Sequence, residues 1–162
     1  MSWIHNKKID KHVLRWKHVD QACESICDKI GDNVPDHIIA LARGGLVPAS
    51  IIANRLGVRR VYSMGVASYK PGEDHSTRDQ FDVYQQISIN NENIKPSDRV
   101  LIVDDISDRG DTFDHVYALV SRRHAVQIRT ASIIVKPETT HVPDYYHTKV
   151  PQDCWVVFPW EK

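Results

Sequence analysis

The sequence predicts a single α/β domain built on a twisted, mostly parallel β-sheet with helices on its faces. Two runs dominated by apolar residues, 37–42 and 100–103, lack the alternation of a half-exposed strand. Such runs are typical of strands buried on both faces of a parallel sheet. Each run leads into a short polar turn and then into apolar residues at helical spacing. No internal repeat, low-complexity tract or linker divides the 162 residues, so we expect one domain.

Composition and charge exclude several classes of protein. The 21 basic and 21 acidic residues cancel, so no overall field attracts nucleic acid or a membrane surface. No apolar run approaches the roughly 18 residues that span a bilayer, and the first residues lack the apolar centre of a signal peptide. Cys23, Cys27, Cys154 and the nine histidines show no metal-ligand spacing. We therefore expect a cytoplasmic protein with free thiols and with no nucleic-acid or integral-membrane partner.

The first predicted helix spans 16–30 and follows an arm of mixed charge, residues 1–15, which we expect to be loosely held or to form a short edge element. Its apolar residues fall at i, i+4, i+7, i+8 and i+11, which is one face of a helix. They are Val19, Cys23, Ile26, Cys27 and Ile30. Gly31 and Pro35 end the helix.

A strand, a glycine turn and a second helix follow. The strand covers 37–42, and the turn Arg43-Gly44-Gly45 has two residues free to adopt positive φ. The helix covers 46–56, with Pro48 in its first turn, where no amide partner is lost. Gly57 ends it.

The middle of the chain predicts two strands around a mobile loop. Residues 61–69 are rich in β-formers, whereas 70–82 hold mainly charged, Gly, Pro and His residues that bury little apolar surface. Residues 83–89 alternate between apolar and polar, which indicates a half-buried antiparallel strand. A turn over 90–98 leads back to the sheet.

The chain is organised around the run 100–103, which passes directly into Asp104 and Asp105. A polar turn, 107–112, comes next, and helical periodicity begins near Asp111. A strand, a tight loop and a helix N-terminus bind phosphate well, because unpaired amides and the helix dipole point at the loop. Two carboxylates at the carboxyl end of a strand can hold sugar hydroxyls or Mg²⁺. The alternative is an ordinary buried strand followed by a capped helix.

The last part of the chain predicts three shorter strands. Residues 128–135 are rich in β-formers and end at Lys136-Pro137, and 144–150 form a short strand after a loop. The apolar piece 156–158 lies between Trp155 and Trp160.

The stretch 100–112 resembles the phosphoribosyl-pyrophosphate (PRPP) loop of the type I phosphoribosyltransferases. The family pattern is four apolar residues, two acidic residues, two variable residues and then Asp-Thr-Gly-x-Thr. Five positions match it: Asp104, Asp105, Asp108, Gly110 and Thr112. Arg109 departs from the pattern, since a small hydroxyl residue is usual there, and Asp111 places a negative charge beside the expected phosphate. These departures bear on how tightly the 5′-phosphate is bound.

Two further motifs are similar to parts of purine phosphoribosyltransferases. Ala42-Arg43-Gly44-Gly45 resembles the pyrophosphate loop, in which backbone amides and a basic side chain meet the diphosphate. The alternative is a plain turn with a solvent-facing Arg43. Ser68-Tyr69 matches a Ser-Tyr pair that opens a closing loop in the 6-oxopurine enzymes, and such closure excludes water from the reacting centre.

The purine-recognition residues of the family match the C-terminal part of the chain. Lys136 matches the lysine that donates to the purine 6-oxo group, which disfavours adenine. The segment 151–161 is similar to the segment in which Trp155 would stack on the base and the Val156 carbonyl would face the 2-position. Glu161 lies where an Asp often approaches the exocyclic 2-amino group. The alternative is that Trp155 and Trp160 are core or interface aromatics and that Glu161 is a frayed end.

The resemblance implies the type I fold, with a core over about 37–136 and a small hood built from about 1–15 and 144–162. It is nearest to the short xanthine-guanine and hypoxanthine-guanine phosphoribosyltransferases. It implies Mg²⁺-dependent transfer from PRPP to a 6-oxopurine, in a homodimer or homotetramer. Two alternatives stay open: a non-catalytic PRPP-sensing regulator that binds nucleic acid, and an enzyme for another base.

The resemblance also gives the site residues their roles. Asp104 and Asp105 would hold the ribose hydroxyls and the metal. The amides of 108–112 and the Thr112 hydroxyl would bind the 5′-phosphate. Asp108 resembles the general base that takes the N7 proton. Arg43 and Lys136 would supply positive charge and orientation. The PRPP-binding residues implied are Ala42, Arg43, Gly44, Asp104, Asp105, Asp108, Arg109, Gly110, Asp111 and Thr112.

Overall fold

The computed structural model describes residues 10–68, 81–85, 94–123 and 127–161. Strands and helices alternate through most of this chain. In order they are β1 (Lys11–Val13), α1 (Trp16–Ile30), β2 (His37–Ala42), α2 (Leu46–Leu56), β3 (Val61–Ser68), β4 (Phe81–Gln85), β5 (Arg99–Ser107), α3 (Asp111–Arg123), β6 (Gln127–Val135), β7 (Tyr145–Lys149) and β8 (Trp155–Val157).

Six strands form one sheet in the order β4-β3-β2-β5-β6-β7. The β3–β4 pair is antiparallel, and every other neighbouring pair in this sheet is parallel. The mostly parallel sheet and the antiparallel strand after the loop are therefore confirmed. β5 is one of the two central strands of this sheet and has a parallel neighbour on each side, and it carries the predicted phosphate loop at its carboxyl end.

The core lies on both faces of this sheet. Helices α1 and α2 cover one face and pack residues such as Ile26 and Ile52 against Leu101. Helix α3 covers the other face and packs Phe113 against Ile102. Burial on both faces explains why the central strands show no polar alternation in sequence.

A separate two-stranded parallel sheet joins the two ends of the described chain. β1 pairs with β8, and backbone hydrogen bonds from Leu14 to Val157 and from Trp155 to Asp10 extend the pairing. Its strands lie within the segments predicted to form a hood, about 1–15 and 144–162, of which residues 1–9 lie outside the described residues, and we call this two-stranded unit the hood. The predicted C-terminal hood segment, 144–162, divides into two parts, because Tyr145–Lys149 pairs with β6 and belongs to the main sheet.

The bounds of the N-terminal elements agree with the sequence predictions, whereas β4 and β5 differ. Gly57 ends α2 with a φ of +71°. β5 continues through Asp104 and Asp105 to Ser107, because β6 pairs with it as far as Ser107 opposite Val135. The turn predicted at 107–112 is therefore shorter. β4 begins at Phe81, inside the predicted loop, and the rest of that loop and of the predicted strand 83–89 lies outside the described residues.

The cysteines and the helix lengths agree with the composition. Cys23, Cys27 and Cys154 are unpaired, and burial raises the pKa of the Cys23 thiol to about 12, so this residue serves as a small core side chain. Within the described residues, every helix is too short or too polar to cross a bilayer.

Candidate active site

Most of the predicted site residues converge at one edge of the sheet. The carboxyl ends of the neighbouring strands β2, β5 and β6 lead into Arg43, Asp108 and Lys136, respectively. In open α/β sheets, ligands bind at this edge. A cavity of 750 Å³ on one side of β5 is lined by residues that include Arg43, Gly44, Asp105 and Glu161. A cavity of 290 Å³ on the other side is lined by Asp104 and the loop 108–112.

The Arg43-Gly44-Gly45 turn passes very close to β5. A Cβ atom added to Gly44 would lie 2.1 Å from Asp105 Oδ2, and one added to Gly45 would lie 2.3 Å from the Val103 carbonyl oxygen. Neither glycine has a positive φ, so the turn does not use the conformational freedom that two glycines offer. They are needed because a side chain would not fit. The peptide bond between Ala42 and Arg43 is cis, and Arg43 is exposed at the cavity rim.

Asp104 and Asp105 are half-buried and serve opposite sides of β5, as successive strand residues do. The Asp105 amide donates to Asp104 Oδ1 at 2.9 Å. Burial, with repulsion from Asp105, raises the pKa of Asp104 well above its ordinary value. Burial, with a contribution from Glu161, raises the pKa of Asp105 to about 6. Both carboxylates thus sit where negative charge is disfavoured, which a bound cation would relieve.

The donor set at this edge fits a magnesium ion that also takes ligands from its substrate. In the part of the chain that is described, no three His, Cys, Asp or Glu side chains form a metal cluster. Mg²⁺ is commonly held by one or two carboxylates together with water and phosphate oxygens. Asp105 faces the Arg43-Gly44 turn in the larger cavity and Asp104 lines the smaller one, so each cavity offers one carboxylate to such an ion.

The loop 108–112 ends at the N-terminus of α3. Gly110 adopts a φ of +91°, and a Cβ atom there would lie 2.3 Å from the His141 amide nitrogen. The unpaired amides of the first helical turn border the 290 Å³ cavity together with Thr112, a geometry suited to a phosphate. Arg109 and Asp111, the two departures from the family pattern, are both exposed.

A segment that the sequence analysis did not single out supports this loop from behind. The Thr140 amide donates to the Arg109 carbonyl oxygen at 2.7 Å, and the Thr140 hydroxyl lies 2.9 Å from the same oxygen. The Ser107 hydroxyl donates to the His141 carbonyl oxygen at 2.7 Å. The His141 ring stacks on Phe113, with centroids 5.1 Å apart. Nothing in the loop composition of 138–143 signals this role, since the contacts are made only when the chain folds.

Lys136 is buried, with 6% of its surface exposed. Its ammonium group donates to the carbonyl oxygens of Gln152 at 3.0 Å and Cys154 at 2.7 Å. It also lies 3.9 Å from Asp108 Oδ1, too far for a hydrogen bond. An ammonium group has three N–H donors, so one remains for a ligand beside Asp108.

Gln152 is a second residue to which the sequence analysis gave no role. Its side-chain Nε2 donates to Asp108 Oδ1 at 2.8 Å, and its Oε1 accepts the Glu138 amide at 3.1 Å. Its position between Pro151 and Asp153 in the hood segment was the only available signal, and that signal carried no chemistry.

The two hood tryptophans differ in environment. Trp155 is 61% exposed, so it is not a core aromatic, and the other half of that alternative, an interface aromatic, stays open. Trp160 stacks on Phe158, with centroids 4.8 Å apart, and contacts Trp16 at 6.0 Å. It therefore packs within the hood, and it also lines the 750 Å³ cavity. Val156, between them, is buried.

Glu161 is ordered by its own turn. Its Oε2 accepts the Phe158 amide at 2.9 Å, and the residue borders the same cavity as Arg43 and Asp105. The alternative of a frayed end does not describe it. Of the predicted closing-loop pair, Ser68 is the last residue of β3 and Tyr69 lies outside the described residues.

Comparisons with known proteins agree with this geometry. The sequence model described as "Phosphoribosyl transferase domain" matches residues 5–161. The chain is 31% identical over 149 residues to a xanthine-guanine phosphoribosyltransferase of Chromohalobacter salexigens, covering 92% of this chain and 83% of that protein. It superposes with a TM-score of 0.80 on a purine phosphoribosyltransferase from Pyrococcus horikoshii, which is 37% identical, over 94% of this chain and 95% of the other.

A more distant solved structure shows the same fold. The Helicobacter pylori xanthine-guanine-hypoxanthine phosphoribosyltransferase has a TM-score of 0.74 at 17% identity, over 94% of this chain and 93% of the other. The family match spans almost the whole chain, including the carboxyl edge of the sheet and the hood. The chain belongs to the phosphoribosyl transferase family.

Proposed function

We propose that the protein is a purine phosphoribosyltransferase of nucleotide salvage. It transfers the 5-phosphoribosyl group from PRPP to N9 of a 6-oxopurine (guanine, xanthine or hypoxanthine) and releases pyrophosphate. The observation that carries the proposal is the buried Lys136 ammonium, 3.9 Å from Asp108, between a phosphate-type loop and the exposed Trp155. A donor, a base and a flat apolar surface at one edge suit a purine with an oxygen at position 6.

The two cavities beside β5 divide the binding of PRPP. The amides of 108–112 and the Thr112 hydroxyl bind the 5′-phosphate, on the side where α3 begins. Ala42, Arg43 and Gly44 bind the pyrophosphate on the other side, where Arg43 reaches it from the rim. The carboxylates between the cavities accept hydrogen bonds from the ribose hydroxyls.

Asp105 and Asp104 would hold the magnesium ion, because their charge is disfavoured without one. When bound, the ion neutralises charge on the pyrophosphate leaving group. The position of Asp105 against Gly44 directs that carboxylate toward the pyrophosphate turn.

The residues around Lys136 act on the base. As the N9–C1′ bond forms, the bond from C1′ to the pyrophosphate oxygen breaks, and its electron pair leaves with pyrophosphate. Asp108 takes the proton from N7. Lys136 donates to the 6-oxo oxygen, and the 6-amino group of adenine would place a donor against this donor. Trp155 stacks on the base, while Val156 and Glu161 border its 2-position. The names of the Chromohalobacter, Pyrococcus and Helicobacter relatives support this substrate class.

The test is pyrophosphate release from PRPP and Mg²⁺ with guanine, xanthine, hypoxanthine or adenine offered separately. We expect release with at least one 6-oxopurine and none above background with adenine. Adenine turnover equal to the others would contradict the Lys136 argument. PRPP binding without release for any base would favour a PRPP-sensing regulator.

We also expect a homodimer or homotetramer, which light scattering measures. We expect the protein to work in the cytoplasm, which cell fractionation tests.

A further inference from the structure

Gln152 makes three hydrogen bonds in the neighbourhood of Asp108, the proposed general base. Its side-chain nitrogen donates to Asp108 Oδ1 at 2.8 Å, and its side-chain oxygen accepts a hydrogen bond from the Glu138 backbone amide at 3.1 Å. Its main-chain carbonyl oxygen accepts a hydrogen bond from Lys136 Nζ at 3.0 Å. Glu138 and Lys136 belong to the turn after β6, whereas Gln152 precedes β8. One residue therefore connects the phosphate loop, the purine lysine and the hood.

The orientation of the Gln152 amide is fixed by its partners. A backbone N–H can only donate, so the atom that faces Glu138 must be the side-chain oxygen. The side-chain nitrogen must then face Asp108, and a carboxylate can accept from it. In this one arrangement the amide nitrogen and the amide oxygen both have hydrogen-bond partners, which fix the conformation of the Gln152 side chain.

Asp108 needs such a partner because it stands in an open position. Its side chain is 51% exposed, and Lys136 Nζ, 3.9 Å from Oδ1, forms an ion pair with it but is too distant to fix its orientation by a hydrogen bond. In the described part of the chain, the hydrogen bond on Oδ1 comes from Gln152. With Oδ1 held, Oδ2 is the oxygen presented to a proton on the base. Oδ2 then accepts that proton through its own lone pairs.

We propose that Gln152 is a positioning residue that holds Asp108 in the orientation for proton transfer and keeps it in register with Lys136. The proposal rests on the function proposed above, in which Asp108 is the general base. Gln152 acts through Asp108 and does not touch the reacting atoms.

The test compares Gln152→Glu and Gln152→Ala with the wild type by single-turnover transfer to the best purine over a range of pH. Glu has the size of Gln and can still accept a hydrogen bond from the Glu138 backbone amide. It replaces the N–H that donates to Asp108 with a second negative charge, which repels that carboxylate. We expect the rate at neutral pH to fall about tenfold in both variants, a fraction of the effect of a general base. We expect KM for PRPP to stay within about twofold. The acid limb of the rate profile should move to higher pH, and further in Gln152→Glu.

Two controls separate positioning from a general structural effect. Gln21→Ala, on the exposed surface of α1, should leave the rate, the profile and the melting temperature unchanged. In an Asp108→Asn background, adding Gln152→Ala should lower the transfer rate little further, because the effects of mutating two residues that act as a unit are not additive. An equal loss in that background would overturn the proposal. So would a wild-type profile in Gln152→Glu, or a loss of PRPP binding in Gln152→Ala. An inactive wild type would instead refute the proposed function itself.

Discussion

Asp105 lies where its negative charge destabilises the unliganded fold, and we propose that the same charge binds the magnesium ion and the ribose. It contacts the pyrophosphate turn at Gly44, and burial raises its pKa from 3.8 to about 6. A carboxyl group whose pKa is raised by folding binds protons more tightly in the folded state than in the unfolded state. The unliganded fold therefore loses stability from this group as pH rises from about 4 to about 6, and the loss persists above that range.

Asp105→Asn should therefore stabilise the unliganded protein while removing activity. Because Asn carries no charge, we expect the free energy of unfolding at pH 7.5 to rise by about 1–3 kcal/mol. The gain should disappear near pH 4, where the folded wild type is protonated. Transfer activity should fall about 100-fold through the loss of cation and ribose contacts. Urea denaturation at the two pH values tests the sign, and a variant less stable than wild type at pH 7.5 would contradict it.

Gly44 and Gly45 are adjacent, and alanine should affect them differently. A Cβ atom at Gly45 meets backbone atoms of Val103 and Leu41 that cannot move aside, whereas one at Gly44 meets the Asp105 side chain. We expect Gly45→Ala to lower the free energy of unfolding by about 3 kcal/mol or more. Gly44→Ala should fold, displace Asp105 and lose most of its transfer activity. Thermal melting and pyrophosphate release measure both, and equal stabilities of the two variants would refute the distinction.

At the scale of elements, the phosphate loop depends on a segment remote in sequence. Thr140 holds Arg109 through its amide, and its hydroxyl, which has one proton to donate, lies within hydrogen-bond distance of both the Arg109 carbonyl oxygen and Asp114 Oδ2, the latter at 2.7 Å. A loop held from behind presents its amides in one arrangement, which lowers the entropy cost of binding a phosphate.

Thr140→Val keeps the shape and the amide bond but removes the hydroxyl. We expect KM for PRPP to rise about three- to tenfold, the equivalent of one lost hydrogen bond, with kcat at saturating PRPP close to wild type. Ser121→Ala removes a comparable hydroxyl bond, to Ala118, farther along α3 and should leave KM unchanged. Steady-state kinetics with PRPP varied gives the comparison. An unchanged KM in Thr140→Val would mean that the backbone bond alone suffices.

How much could be predicted from the sequence depends on whether a feature is local. α1 and α2 were predicted at their observed bounds, since periodicity and the glycines at 31 and 57 are local signals. The end of β5 was not predicted. Its last four residues, 104–107, are polar or line the site, and they continue the strand because they pair with β6. Gln152 and Thr140 were missed for the same reason. Their functions lie in contacts with residues 44 and 31 positions away.

At the scale of the whole molecule, the hood brings the two ends of the described chain together at the carboxyl edge of the sheet. Three-residue strands alone are marginal, so the β1–β8 pair needs other contacts. Trp160 supplies them through Phe158 and Trp16, and Lys136 holds the start of β8 through the Cys154 carbonyl. The hood therefore presents Trp155 on a supported strand while leaving its ring uncovered.

Because Trp155 is exposed and Trp160 is packed, we expect their substitution to have opposite effects on purine binding and on stability. Trp155→Ala should leave the free energy of unfolding within about 0.5 kcal/mol of wild type, because the side chain is mostly exposed. It should raise KM for the purine about tenfold through lost stacking and leave KM for PRPP unchanged. Trp160→Ala should lower the free energy of unfolding by about 2 kcal/mol or more, since it removes packed aromatic contacts.

Trp155→Phe separates stacking from simple contact, because a smaller flat ring should recover much of the purine affinity. Denaturant titration and kinetics with purine and PRPP varied separately make the comparison. If Trp155→Ala melted early with both KM values raised, Trp155 would be a structural residue of the hood. The purine surface would then have to lie on another element of the carboxyl edge, and the link between hood and base specificity would be lost.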